Sequence, residues 1–311
     1  MSPASDQLNR INIIQSNKTI LSIWKFITGN IKVTIGIGIV SFFLLVAIFG
    51  PLFIHNNPAL YTRQINLPPS WQHLLGTTTG GQDILEQLIV GTRTSIFWGL
   101  GTTIAIEGLG AVIGVVGAYF GGWWDELLTV LSNVFLVIPG LVLAIVLAAF
   151  LPRGSLTVSA AIFVTSWAYV ARSLRAQTLS LRSRDFITAA RSMGERTWRI
   201  LFFEILPNEL PLVSAGIVNN FSNVIVAMAT LEFLGLGSLN TISWGTMLYW
   251  AQVNSALIVG QWWWFVPPGL CIALFGAGLA LINYGIDEIA DPRLHQFKLR
   301  KQKQVKKVTA I

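Results

Sequence analysis

The stretch Ser183–Glu209, SRDFITAARSMGERTWRILFFEILPNE, is arginine-rich and sits inside a chain that is otherwise strongly apolar. Phe186, Ile187, Ala190 and Met193 recur at helical spacing, as do Trp198, Leu201 and Phe202, which predicts two short amphipathic helices. Gly194 stands between them, where a residue without Cβ permits a sharp turn. Pro207 is expected to stop the second helix. A helix–Gly–helix rimmed with arginines and carrying apolar side chains suits two roles. It is a docking knob for another protein, or an amphipathic segment resting on anionic lipid.

The surroundings decide where this knob lies. Of 311 residues, 53% are hydrophobic and 11% charged, against about 25% charged in an average soluble domain. Mean hydropathy is +0.63. A soluble protein cannot hide that much apolar surface, and disordered chains are poor in apolar residues. The chain therefore reads as an all-α polytopic membrane protein. Runs long enough to cross the hydrocarbon core fall at 33–54, 94–119 (with Glu107 its only charge), 127–151, 154–171, 210–231 and 262–286. The first is too long, and lacks the small-residue cleavage site, to be a signal peptide. Residues 233–261 read as an external loop with a partly embedded helix near 244–259.

Six crossings put both termini on one side. That side holds all 21 Lys and Arg except Arg63, Arg93 and Arg153, so it is cytoplasmic by the positive-inside rule. The expected organisation is a cytoplasmic segment 1–32, a first crossing and external loop 33–92, a core 93–287 holding the loop 172–209, and a basic tail 288–311.

Several chemistries are missing from the sequence. Gly76-Thr77-Thr78-Thr79-Gly80-Gly81 is followed by Gln82 and Asp83, where a phosphate-binding loop needs Gly-Lys-Ser/Thr. No nucleophile elbow or zinc-protease helix occurs. His55, His73 and His295 are scattered, and Cys271 is the single cysteine, so neither a metal cage nor an internal disulfide is expected. The tail from Lys298 to Lys307 lacks interleaved aromatics, which favours anionic lipid over nucleic acid. No cofactor is expected on this chain.

Thr188-Ala189-Ala190, then Gly194, Glu204 and Leu206-Pro207-Asn208 resemble the EAA loop of ABC importer permeases. His73-Leu74-Leu75-Gly76-Thr77 with Gly81-Gln82-Asp83 is similar to a segment of oligopeptide and dipeptide permease C subunits. Ala118–Trp123, Phe233–Gly237, Ser243-Trp244-Gly245 and Asp291-Pro292-Arg293-Leu294 match further signatures of that family in order. The resemblance covers about residues 73–294. It implies the type I importer permease fold with six membrane helices and a cytoplasmic coupling helix. It also implies a second permease, two cytoplasmic ATP-binding subunits that carry ATP and Mg, and an external substrate-binding protein. Carried over residue by residue, the coupling loop comprises Asp185, Thr188, Ala189, Ala190, Arg191, Gly194, Glu195, Arg196, Glu204 and Pro207. The chain departs from the family at Thr188 (usually Glu), Glu204 (often His), Gln82 (Arg) and Met228 (Glu), with Glu232 one turn beyond Met228.

Candidates for the translocation path are Glu107, Asn219, Asn223, Met228, Glu232 and Trp244. A charge at the bilayer centre costs about 3 kcal/mol on the gentler insertion scales, so Glu107 should face an interior or a cavity. It lines the path, or it packs between helices, for instance against Asn219, Asn220 and Asn223. Trp244, Trp250, Trp262, Trp263 and Trp264 read as an interfacial belt or as the mouth of the path. Gly108, Gly110, Gly114 and Gly117 allow a close helix contact, within this chain or with a second permease. Peptides are the cargo the resemblance implies, with β-linked oligosaccharides as the alternative. Readings from other classes are a stand-alone channel, an ion-driven transporter and a membrane scaffold.

Overall fold

The computed structural model describes residues 30–54 and 57–290, with side chains placed through residue 286. The segment 1–29, His55, His295, the Asp291–Leu294 motif and the basic tail lie outside those residues. Among the described residues the regular elements are all helices, and one isolated antiparallel bridge joins Thr77 and Asp83.

Helix α1, Ile31–Phe49, starts where the Asn30 side chain accepts from the Lys32 N–H, and passes into a 3₁₀ turn at Gly50–Phe53. Helix α2 spans Ile84–Phe120, 37 residues or about 55 Å. It starts ten residues before the predicted crossing because Asp83 caps it, accepting from the N–H groups of Leu85 and Glu86.

The predicted crossing 127–151 is broken. Helices α3, Gly122–Val137, and α4, Gly140–Phe150, meet at 88°. Pro139 has no N–H to donate and pushes Ile138 into extended backbone (φ −81°, ψ 130°). At 16 and 11 residues neither half spans about 30 Å alone.

Helix α5, Ser155–Arg182, runs eleven residues beyond the predicted end at 171 and absorbs part of the expected loop. The apolar stripe Val170, Leu174 and Leu181 continues into the core, and Arg175 makes a bidentate pair with Asp125 at 2.6 and 2.7 Å. Helix α6 is Asp185–Ser192. Helix α7, Thr197–Phe233, is continuous over 37 residues, so Pro207 does not stop it. The turns Ile200–Ile205 widen to π geometry, with the Leu206 N–H reaching Leu201 O, just ahead of the missing donor at Pro207. Helix α8, Trp244–Val253, has 10 residues and cannot cross a membrane. Helix α9 is Trp262–Ala290.

Among the described residues, Ile31–Phe53, α2, α7 and Trp262–Ile286 are long and apolar enough to cross, and the bent pair makes five. Helix α5 has the length, 28 residues, without a comparably apolar composition. It is central, packed against α2, α4 and α7, and a helix sheathed by protein needs no lipid-compatible coat.

Glycine sets the closest crossings. A methyl group at Gly110 would lie 2.5 Å from the Val170 side chain, and one at Gly114 2.5 Å from Ala171 O, so the α2 glycines meet α5 of the same chain. Gly108 meets nothing. One core runs through α2, α5, α6 and α7 around Ile106, Leu174, Ile187, Ile200 and Leu231. A second is aromatic, with Phe43, Phe221, Trp244 and Phe275 in edge-to-face contact at 5.4 to 5.9 Å.

Candidate functional site

The knob is built by α6 and the start of α7. Ile187 and Ala190 face inward, 0% and 6% exposed, and pin it to the core. Its turn is a Schellman closure, in which the Glu195 N–H reaches Ala190 O at 3.1 Å and the Gly194 N–H reaches Arg191 O at 3.0 Å. Gly194 supplies the required φ of +76°, and a side chain there would meet nothing within 4 Å. Asp185, Thr188, Ala189, Arg191, Arg196 and Pro207 are exposed, and Glu195 and Glu204 are half-buried. Arg191 lies over the Tyr119 ring at 4.8 Å, and Arg199 pairs with Glu195 at 2.8 Å. Met193, Trp198, Phe202 and Phe203 are 53% to 75% exposed. The knob thus presents an exposed apolar surface bounded by arginines.

A second feature lies among the membrane helices. Glu107 is 4% exposed, and its Oε1 accepts from Asn220 Nδ2 at 2.6 Å. Gly216 makes room, since a methyl group there would lie 2.9 Å from Glu107 Oε1. Glu107, Ser173, Asn219, Asn220 and Asn283 contribute to the wall of a cleft of about 240 Å³. Asn223, one turn beyond Asn219, is exposed on α7 and does not line this cleft.

The other path candidates are packed rather than open. Met228 is 3% exposed within the first core. Trp244 is fully buried, its Nε1 donating to Thr92 Oγ1 at 3.1 Å, so it is a core ring and not part of a belt. Glu232 is 4% exposed and accepts from Ser243 Oγ at 2.6 Å, with Gly237 and Gly245 closing around its stem. Ser243 and Thr246 form a capping box that starts α8. Trp250 and Trp264 do line an opening, a cavity of about 620 Å³ shared with Tyr61, Gln82, Asn240 and Asn254.

That cavity borders a cap formed by residues 57–83. Thr77 is fully buried and ties the cap together: its Oγ1 donates to Gln64 O at 2.6 Å and accepts from the Leu67 N–H at 2.9 Å. His73 bridges Asp83 and Gln64, 2.8 Å to each. A side chain at Gly81, φ +73°, would lie 2.5 Å from Thr62 O.

Two polar residues, one buried and one half-buried, escaped the sequence reading. Glu209, taken only as the boundary of a crossing, is 0% exposed and accepts from Thr178 Oγ1 across the α5–α7 contact. Its spacing of four from buried Ile205 is the signal that places it on the inner face. Asn283, whose Oδ1 is buried without a donor, had no such signal, because only tertiary packing sets it opposite Glu107.

Comparison with known proteins places this architecture. A family model described as "Binding-protein-dependent transport system inner membrane component" matches residues 108–296. The oligopeptide transport system permease protein OppC of Bacillus subtilis (strain 168) is 31% identical over 288 residues, covering 90% of this chain and 93% of that one. The probable D,D-dipeptide transport system permease protein DdpC of Escherichia coli (strain K12) is 31% identical over 274 residues, covering 87% and 90%. The dipeptide transport system permease protein DppC of Haemophilus influenzae is also 31% identical, over 281 residues that cover 88% and 94%. With its helical membrane architecture and matches that span most of its length, the chain belongs to the family of binding-protein-dependent transport system inner membrane components.

Proposed function

We propose that this chain is one permease half of an ATP-driven ABC importer for peptides, with its knob as the coupling element. The observation that carries this reading is the knob's surface. Met193, Trp198, Phe202 and Phe203 stay 53% to 75% exposed on a segment whose other face is locked into the core. Such a patch, edged by Arg191, Arg196 and Arg199, suits a groove on a cytoplasmic ATPase. The partners are two such ATPases carrying ATP and Mg, a second permease, and an external binding protein that delivers cargo. This chain supplies shape and holds neither cofactor nor catalytic group. Relatives named for oligopeptide and dipeptide transport favour peptides, and nothing comparable supports oligosaccharides. Membership of a binding-protein-dependent family also disfavours a channel, an ion-driven carrier or a scaffold.

The chain lies in the cell membrane with six crossings, counting the bent α3–α4 pair and α5, and both termini cytoplasmic. Closure of the ATPase dimer on ATP moves the two knobs. Because Ile187 and Ala190 bind α6 into the core, that motion is transmitted to α5 and α7 rather than lost in a loose loop. The path then opens outward to receive peptide, and hydrolysis returns it inward. The exposed α7 face with Asn219 and Asn223 fits the path side, because amides facing lipid leave their hydrogen bonds unmade.

The test is purification of the tagged chain from its native membrane, with identification of associated chains, an ATPase assay and peptide uptake into proteoliposomes. Recovery of two ATPases, a second permease and a binding protein, with ATP-dependent uptake of peptide, is expected. A chain that purifies alone without nucleotide hydrolysis overturns the reading.

A further inference from the structure

We propose that the cleft walled by Glu107, Ser173, Asn219, Asn220 and Asn283 seats a primary ammonium group, the free amino terminus of a peptide, with Glu107 as its anionic anchor. This rests on the peptide-import reading above and adds which end of the cargo the permease recognises.

Glu107 sits within a membrane-crossing helix and is 4% exposed. Among the described residues no Lys, Arg or His pairs with it, and its one hydrogen-bond partner is the neutral amide of Asn220. A carboxylate is kept from water only at a cost, which a passing cation would offset. The surroundings offer a donor-only guest several acceptors. Asn283 Oδ1 is buried without a donor, Ser173 and Asn219 offer further oxygens, and no cationic side chain lines the cleft. An ammonium group has three N–H donors and no acceptor, which suits the carboxylate and the amide and hydroxyl oxygens of this wall. Gly216 keeps the approach open, because a methyl group there would lie 2.9 Å from the carboxylate. At about 240 Å³ the cleft is smaller than a typical whole-ligand pocket of ~300–1,000 Å³. It takes one end of a substrate and leaves the rest in the path between two permeases, so discrimination falls on the terminus rather than on side chains.

The test uses the complete permease–ATPase complex in lipid nanodiscs, nucleotide-free and without the binding protein, so that the latter's own selectivity does not contribute. Equilibrium binding of radiolabelled trialanine is compared with that of N-acetyl-trialanine. Wild-type complex is expected to bind the free amine about tenfold more tightly, the size of one charge-assisted hydrogen-bonding contact. Glu107→Gln, which preserves shape, should weaken trialanine about tenfold and leave the acetylated form unchanged. On the wild-type complex, which needs no variant to fold, n-butylammonium should displace labelled trialanine and n-butanol should not. Equal affinity for the two peptides, equal weakening of both by Glu107→Gln, or no displacement by n-butylammonium would overturn the anchor. If the complex with its binding protein imports trialanine while those results hold against the anchor, the import reading stands and the anchor falls. If it imports no peptide at all, the import reading falls and the anchor with it.

Discussion

In the cap, Gly81 turns the chain with φ +73° against Thr62, and Gly76 does so with φ +72° where a methyl group would lie 2.6 Å from Leu67 O. In the knob, Gly194 makes a corner of nearly the same φ, +76°, where an added side chain would meet nothing within 4 Å. The backbone demand is the same, but the cap glycines are also required by space and the knob glycine is not. The cap is closed by its own hydrogen bonds through Thr77, Thr78 and His73, and Thr79 Oγ1 ties it to the end of α8 by donating to Asn254 Oδ1 at 3.1 Å. The knob is anchored on one side by Ile187 and Ala190 and left bare on the other. A region closed within its own chain therefore differs from one left exposed in what surrounds the turn, and not in the turn itself.

That contrast can be broken by substitution. Gly81→Val should be the most damaging to folding, since it combines a left-handed backbone cost of about 1–2 kcal/mol with overpacking of about 1–3 kcal/mol. A large fall in thermal stability of the detergent-purified chain, with reduced membrane levels, is expected. Wild-type stability would show that the cap is not sealed. Ser243→Ala removes both a helix cap and the hydroxyl donor to buried Glu232, and should cost about 1–3 kcal/mol in the same assay. An unchanged melting curve would mean that Glu232 finds another partner.

Gly194→Trp inverts the pattern. Only the backbone term of about 1–2 kcal/mol applies, so membrane levels should stay close to wild type while ATPase co-purification and peptide uptake fall more than tenfold. Full uptake by this variant would remove the knob from the coupling role. Arg199→Ala should change least, within about 0.5 kcal/mol, because its pair with Glu195 is solvent-exposed on the arginine side. A larger loss would show that the knob's charges, and not only its shape, hold it in place.

Much of the knob could be read from residues alone, because its features are local. The helical spacing of Phe186, Ile187 and Ala190 and the glycine after them specify α6 and its turn without reference to the rest of the chain. Proline was a poorer guide in both directions. Pro139 breaks a run whose hydropathy is unbroken, whereas Pro207 is absorbed by the π-helical turn before it. A missing N–H terminates a helix only where no neighbouring geometry takes up the slack. The reach of α5 to Arg182 was concealed by its arginines, which look like loop residues until Asp125, 50 positions away, pairs with Arg175. Trp244 misled by composition, since a tryptophan near a membrane surface reads as a belt residue until Thr92 is found to satisfy its indole N–H.

The membrane character of the chain, the position of most crossings and the outline of the knob follow from hydropathy and local backbone sterics, which act within one or two turns of helix. Which faces meet did not follow from them. The Glu107–Asn220 pair joins residues 113 apart and the Trp244–Thr92 pair residues 152 apart. The cleft brings together side chains from α2, α5, α7 and α9. Those choices belong to tertiary packing, because in a bundle of nearly uniform apolar helices hydropathy scarcely distinguishes one pairing from another. Small residues such as Gly110, Gly114 and Gly216 decide how closely the helices approach and which polar groups come face to face.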